Sequence, residues 1–298
     1  MACLYNENRV VIHDQETGEQ KKIEVKEPWK CAASQHMLAV TTNEDGLHLY
    51  STKGDLVLIV PDSSGAHCVA FHLRNTNFLA IGYNDGTVRV WDISTQAYVS
   101  LFKDHTNYIM NIRFAPDGRL FLSSWDNTAS IVTLDHQLQI VSSIKLQGHT
   151  NWVNDIIPLF LSNQCVTCSS DRTIKVWDYE TGACLRTLTE HTHYVVSLAM
   201  HPSGQYFASG SYDRSVIIWS CETFHFLRRF PFPSFVQSVI LGECNALYVG
   251  VHGHGVMSCN THTGDVGPVI VAGTGFVRSL SLSKLPLLTR QYTTHSHS

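Results

Sequence analysis

His191, Ser209 and Asp213 are the residue types of a nucleophilic triad: a hydroxyl to attack, an imidazole to take its proton and a carboxylate to orient the ring. The same types recur 42 residues earlier as His149, Thr167 and Asp171, and in each copy a tryptophan (Trp177, Trp219) follows the aspartate by six residues. A catalytic centre needs neither a duplicate at identical spacing nor a buried indole in each copy, and a triad also needs an exposed nucleophile and an oxyanion hole. The repetition points to structure. Asp accepts, His donates and accepts, the hydroxyl bridges and the indole N–H donates, so four buried polar groups can satisfy one another.

Other chemistry fares no better. Cys165 and Cys168 have redox-motif spacing, but i and i+3 on a strand face opposite sides, and they align with apolar Leu79 and Phe207 and with small Gly82, Ser123 and Gly210. The His pairs at 191/193, 252/254 and 295/297 lack a Cys or carboxylate to complete a zinc set. Gly273 and Gly275 lack the third glycine of a dinucleotide loop and precede a strand, and no Walker-type loop exists. Arg228 and Arg229, between Phe226 and Phe230, fall in an outer strand. No catalytic residue, metal site or cofactor is expected.

The elements that position these residues follow from a repeat. Counting from each turn Asp, the positions equivalent to Trp177 are His13, Tyr50, Trp91, Val132, Trp219 and Cys259, with spacings along the chain of 37, 41, 41, 45, 42 and 40. Within each unit apolar residues alternate over short runs rich in β-branched types, which predicts strands. Pro116-Asp-Gly118, Pro202-Ser-Gly204 and Asn84-Asp-Gly86 mark the turns between them. A period near 40 made of four short strands is a β-propeller blade.

The 298 residues suffice for a large core, and 44% hydrophobic against 15% charged excludes a disordered chain. The net charge of −4 gives no general affinity for nucleic acid or anionic membrane. No apolar run approaches the roughly 20 residues of a membrane span, and the first residues lack signal-peptide character. Nine unpatterned cysteines read as reduced thiols, so a cytoplasmic or nuclear location is expected.

The recurring His, small strand residue, Asp and Trp, in register, resemble the WD-repeat family, strongly over about residues 66–220 and weakly at both ends. The full Trp-Asp pair stands only at Trp91-Asp92 and Trp177-Asp178, with Trp219-Ser220 a near miss. The resemblance implies an all-β fold, a single seven-bladed propeller of four-stranded antiparallel blades over residues 1–298. Its closing blade is expected from about 1–25 plus 270–292, so that the terminal strands share one blade. Phe276–Leu282 reads as the innermost strand of that blade, Leu287–Tyr292 as the next, residues 9–25 as the outer pair and 293–298 as a polar tail. Propellers that serve as substrate receptors of cullin ubiquitin ligases often carry Arg three residues after the Trp. Here Ser94, Glu180 and Glu222 stand there, which disfavours that partner.

The resemblance also implies a non-enzymatic interaction scaffold that grips peptides or proteins on the rim of the central channel within a multiprotein complex. Direct nucleic-acid or membrane binding is not expected. The alternative is a propeller enzyme or ligand-binding propeller with its site in the channel. Three sets of rim positions follow by alignment. The first is Phe276, Pro28, Gly65, Tyr108, Trp152, Tyr194 and Phe235; the second is Arg278, Lys30, His67, Met110, Asn154, Val196 and Gln237; the third includes Asn43, Asn84, Trp125, Ser170, Tyr212 and His252. Tyr108, Trp125, Trp152, Tyr194, Tyr212 and Phe235 would form one aromatic arc over four consecutive blades. Arg278, Lys30 and His67 would form a basic sector beside it.

Overall fold

A computed structural model describes residues 2–6, 8–13, 19–159, 161–272 and 276–282. Among them the regular structure is strand, and no helix is long and apolar enough to cross a membrane. The chain opens with β1 (Ala2–Asn6), β2 (Arg9–His13) and β3 (Gln20–Glu24). Six sheets of four sequential strands follow. They are β4 (Pro28–Ala33), β5 (Met37–Thr42), β6 (Gly46–Ser51) and β7 (Leu56–Ile59); β8 (Ala66–Phe71), β9 (Phe78–Tyr83), β10 (Thr87–Asp92) and β11 (Ala97–Lys103); and β12 (Ile109–Phe114), β13 (Leu120–Ser124), β14 (Thr128–Leu134) and β15 (Ile140–Gln147). Then come β16 (Val153–Pro158), β17 (Gln164–Ser169), β18 (Ile174–Asp178) and β19 (Cys184–Leu188); β20 (Val195–Met200), β21 (Tyr206–Ser211), β22 (Ser215–Ser220) and β23 (Phe226–Pro231); and β24 (Val236–Leu241), β25 (Ala246–Val251), β26 (Gly255–Asn260) and β27 (Val266–Val271). The last strand, β28 (Leu280–Leu282), pairs antiparallel with β1 in a further sheet of order β28-β1-β2-β3.

The sheets are propeller blades. Their first strands neighbour one another in the order β4, β8, β12, β16, β20, β24, β28, and β28 in turn neighbours β4. All the residues aligned with Trp177 fall on third strands, from His13 on β2 to Cys259 on β26. Each apolar cluster is drawn from two adjacent blades. One joins Val166, Val176 and Ile157 of one blade to Phe207, Ile217 and Trp219 of the next. Close approach between blades explains the small residue on each second strand. A Cβ at Gly210 would lie 2.6 Å from the Val236 side chain, and one at Gly82 would lie 2.7 Å from both Cys68 and Ile109.

The sheet expected to close the propeller differs from the expectation. Among the described residues its innermost strand is Leu280–Leu282, and Ala2–Asn6 occupies the next place. Leu287–Tyr292 and the 293–298 tail lie outside the described residues. Two residues separate β1 from β2, with Asn8 at φ 47°, so the hairpin forms locally. Closing so short a loop costs less entropy than bringing a strand from the far end of the chain.

Side chains on the inner strands strap each blade to the next. His67 Nδ1 donates to the Ile109 carbonyl (3.1 Å) and Asn154 Nδ2 to that of Val195 (2.8 Å). Ser197 Oγ accepts from the Val239 N–H, and Gln237 Oε1 accepts from that of Val277. Ser279 Oγ accepts from the Cys31 N–H and Ser281 Oγ from that of Ala33, which ties the terminal segment to β4. These six inner strands each start with a bulge, so the second-set residues His67, Met110, Asn154, Val196 and Gln237 stand unpaired in the ladder. A bulge re-aims the side chain it carries.

Candidate functional site: the rim of the channel

The triad-like residues do come together. In one blade the Trp177 indole donates to Thr167 Oγ1 (2.8 Å), that hydroxyl faces His149 Nε2 (2.7 Å), and His149 Nδ1 faces Asp171 (2.7 Å). Trp219, Ser209, His191 and Asp213 repeat this at 2.7–2.8 Å. Each imidazole thus lies between a carboxylate at Nδ1 and a hydroxyl at Nε2. That is the order of groups in a hydrolase relay, but Thr167 and Ser209 are fully buried and each hydroxyl oxygen accepts from an indole. No substrate carbonyl reaches them. Burial also pushes the Cys165 and Cys168 thiols well above the ordinary range, so neither is a ready thiolate.

The rim residues fall into two runs of touching rings. Trp125 stacks on Trp152 with centroids 4.4 Å apart and meets Tyr108 at 5.1 Å; His67 joins Tyr108 edge-on at 5.5 Å, and Trp29 lies 4.7 Å from His67. In the second run Tyr194 lies 6.1 Å from Tyr212, Tyr212 stacks on Phe235 at 5.2 Å, and His252 bridges Phe235 to Phe276. Trp152, Tyr194, Phe235 and Phe276 are 39–48% exposed, unlike the buried core aromatics. Where the blades of Trp152 and Tyr194 meet, an open polar groove is lined by Thr150, Asn151, Ser170 and Arg172 of one and by Thr192, His193 and Tyr194 of the other. The expected single arc is therefore two, separated by that groove.

Two further placements differ from the alignment. Glu27 holds the place given to Pro28: its carbonyl accepts from the Asn43 N–H as those of Tyr108, Trp152, Tyr194 and Phe235 accept from their third-set partners, so Trp29 stands on the bulge of β4 and touches His67. His67 is 3% exposed and belongs to no basic sector. Burial, aided by the charge of Lys30, lowers its imidazole to about 4, so it is neutral at pH 7. Met110 is half-buried on its bulge. Arg278 stacks on Trp29 (4.1 Å to the ring centre) and, on another side, approaches Phe276 (5.8 Å), joining the two runs. In the channel, Asp155 accepts from Asn111, from Arg113 (3.2 Å) and from the Leu198 N–H (2.8 Å), bridging three inner strands.

Residues 140–178 and 182–220 each match the WD domain, G-beta repeat, and residues 29–116 match the anaphase-promoting complex subunit 4 WD40 domain. The chain belongs to the WD-repeat β-propeller family. Among curated WD-repeat relatives it is 31% identical to nuclear distribution protein PAC1 of Arthroderma otae over 160 residues, which covers 51% of this chain and 34% of that protein. It is 30% identical to nuclear distribution protein PAC1-2 of Uncinocarpus reesii over 173 residues, covering 49% and 36%. The chain thus spans about a third of the length of these relatives.

A third WD-repeat unit keeps part of the polar network by a route that alignment missed. His105 holds Asp126 (2.8 Å), but its Nε2 pairs with Ser130 of β14 because Leu122 stands where the other units have a hydroxyl. In each of these units burial opposes ionisation of the aspartate, yet the imidazole and a neighbouring hydroxyl outweigh it and hold the carboxyl well below its ordinary range. A depressed folded-state value contributes stability above the unfolded value of about 4, and that contribution is lost as pH falls. The urea midpoint should therefore drop below about pH 4. Asp213→Ala should cost about 1–3 kcal/mol at pH 7 and flatten that acid slope. Equal midpoints for wild type and variant at pH 7 would contradict the role given to the network.

Proposed function

We propose that this WD-repeat propeller is a non-enzymatic scaffold that binds a partner peptide or protein across the rim, as a subunit of a larger assembly in the cytoplasm or nucleus. The observation that carries the reading is the collar of part-exposed aromatic rings around the channel mouth, because aromatic side chains dominate binding hot spots. The channel favours binding over chemistry: its buried carboxylate, Asp155, is fully engaged in joining strands. The relatives are nuclear distribution proteins, and the match to about a third of their length is consistent with a propeller acting beside other modules.

The same reading takes the sheet β28-β1-β2-β3 as the closing blade of a seven-bladed ring. The cyclic order of first strands and the hydrogen bonds from Ser279 and Ser281 to β4 support it.

Trp152→Ala and Tyr212→Ala are the tests. With a partner recovered by pull-down from the native cell and then purified, each should weaken binding by about 2 kcal/mol or more. Trp152 is 44% exposed, so its melting temperature should stay within a degree or two of wild type. Undiminished affinity in both variants would remove the rim from the function.

A further inference from the structure

The two runs of rings meet at one residue that is not aromatic. Arg278 has Trp29 against the face of its guanidinium and Phe276 nearby, an arrangement that fixes the planar group while leaving its N–H edges open. Among the described residues no carboxylate lies within ion-pair distance of Arg278 or of Lys30. Three other arginines are supplied internally. Arg113 pairs with Asp155, Arg119 with Asp117 and Glu180, and Arg229 donates to the Glu190 carbonyl. Arg278 and Lys30 both act on buried His67, so their fields overlap at one side of the mouth. In a chain of net charge −4 this is an uncompensated cationic corner.

We propose that this corner takes a carboxylate side chain, an Asp or Glu of the partner peptide, gripped by the edge of Arg278 with Lys30 beside it. The proposal rests on the rim reading above and adds the charge and spacing of what binds. A guanidinium fork matches a carboxylate in two parallel hydrogen bonds, and stacking on Trp29 has already limited the rotamer freedom that binding would otherwise remove. Spacing follows from the ring contacts. Trp29, 4.1 Å from the guanidinium, lies 4.7 Å from His67, which lies 6.5 Å from Trp125. An extended chain covers about 3.3–3.6 Å per residue, so an acidic residue at Arg278 stands within about five residues of an apolar anchor over Trp125 and Trp152.

The test is a displayed library of random linear peptides about a dozen residues long, selected on the full chain. Wild type should enrich peptides with Asp or Glu within about five positions of a large apolar residue. For a synthetic peptide from that pool, Arg278→Gln should weaken binding about tenfold, the loss of one charge-assisted contact. Glu→Gln (or Asp→Asn) in the peptide should weaken binding to wild type equally, without touching the protein's fold, and should have little further effect on Arg278→Gln. Salt should weaken the wild-type complex more than the variant's. Enriched peptides without an acidic position, or a peptide carboxylate whose loss changes nothing, would overturn the proposal while leaving the rim reading intact. A pool with no enriched sequence, or one insensitive to Trp152→Ala, would bring down both.

Discussion

Asp155→Ala should lower folding stability by about 3 kcal/mol, because it leaves the Leu198 N–H and the Asn111 amide in the interior without their acceptor. Asp155 is 2% exposed, on the inner strand β16, and its oxygens accept from Asn111 and Arg113 of β12, from the Leu198 N–H of β20 and from the Ile156 N–H. One side chain thus joins three consecutive blades through bonds that water cannot readily replace. Arg113→Ala should cost less, since the Arg113 side chain is 39% exposed and Asp155 would keep its amide donors. Urea denaturation at pH 7 distinguishes the two. If the Asp155 variant loses no more than the Arg113 variant, the carboxylate is not the junction that its hydrogen bonds describe.

Removing residues 276–298 should be more damaging still. The deletion takes away β28, and with it the antiparallel partner of β1 from Ala2 to Leu4. It also removes the Val277 groups bonded to Gln237 and Ser238, and the Ser279 and Ser281 hydroxyls bonded to β4. The edge of β1 would then lose its partner, and unpaired edges invite association with other chains. A loss of about 5 kcal/mol corresponds to a fall of about 8 °C in melting temperature for a domain of this length. Aggregation on size-exclusion chromatography or such a fall is the expected outcome. A truncated chain that remains monomeric with unchanged melting would show that the ring does not depend on its terminal segment.

The repeat was legible because its signals are local. A turn Asp with a Trp six residues on, alternating apolar runs and Gly-containing turns fix strand after strand within about 40 residues, and the structure places the aligned positions on third strands. The four-member networks were legible for the same reason: His149 reaches Asp171 and Thr167 inside one unit. The partial network at His105 was not, because its hydroxyl comes from Ser130, a position that carries Lys175 and Ile217 in the better copies.

By itself, then, the sequence determined the propeller architecture, its period and the residues that could satisfy one another within a blade. Tertiary structure alone decided what happens between blades. Whether Trp29 or Lys30 stands at the start of the β4 bulge depends on which residue pairs with Thr42, and His67 is a neutral strap to Ile109 because β12 packs against it. The aromatic arc is broken where a polar groove lies between two blades, and Ala2–Asn6 takes the place beside β28. These contacts join residues about 40 to 280 positions apart. A shift of one residue moves a strand's side chains to the other face, and no local pattern records where a bulge will make that shift.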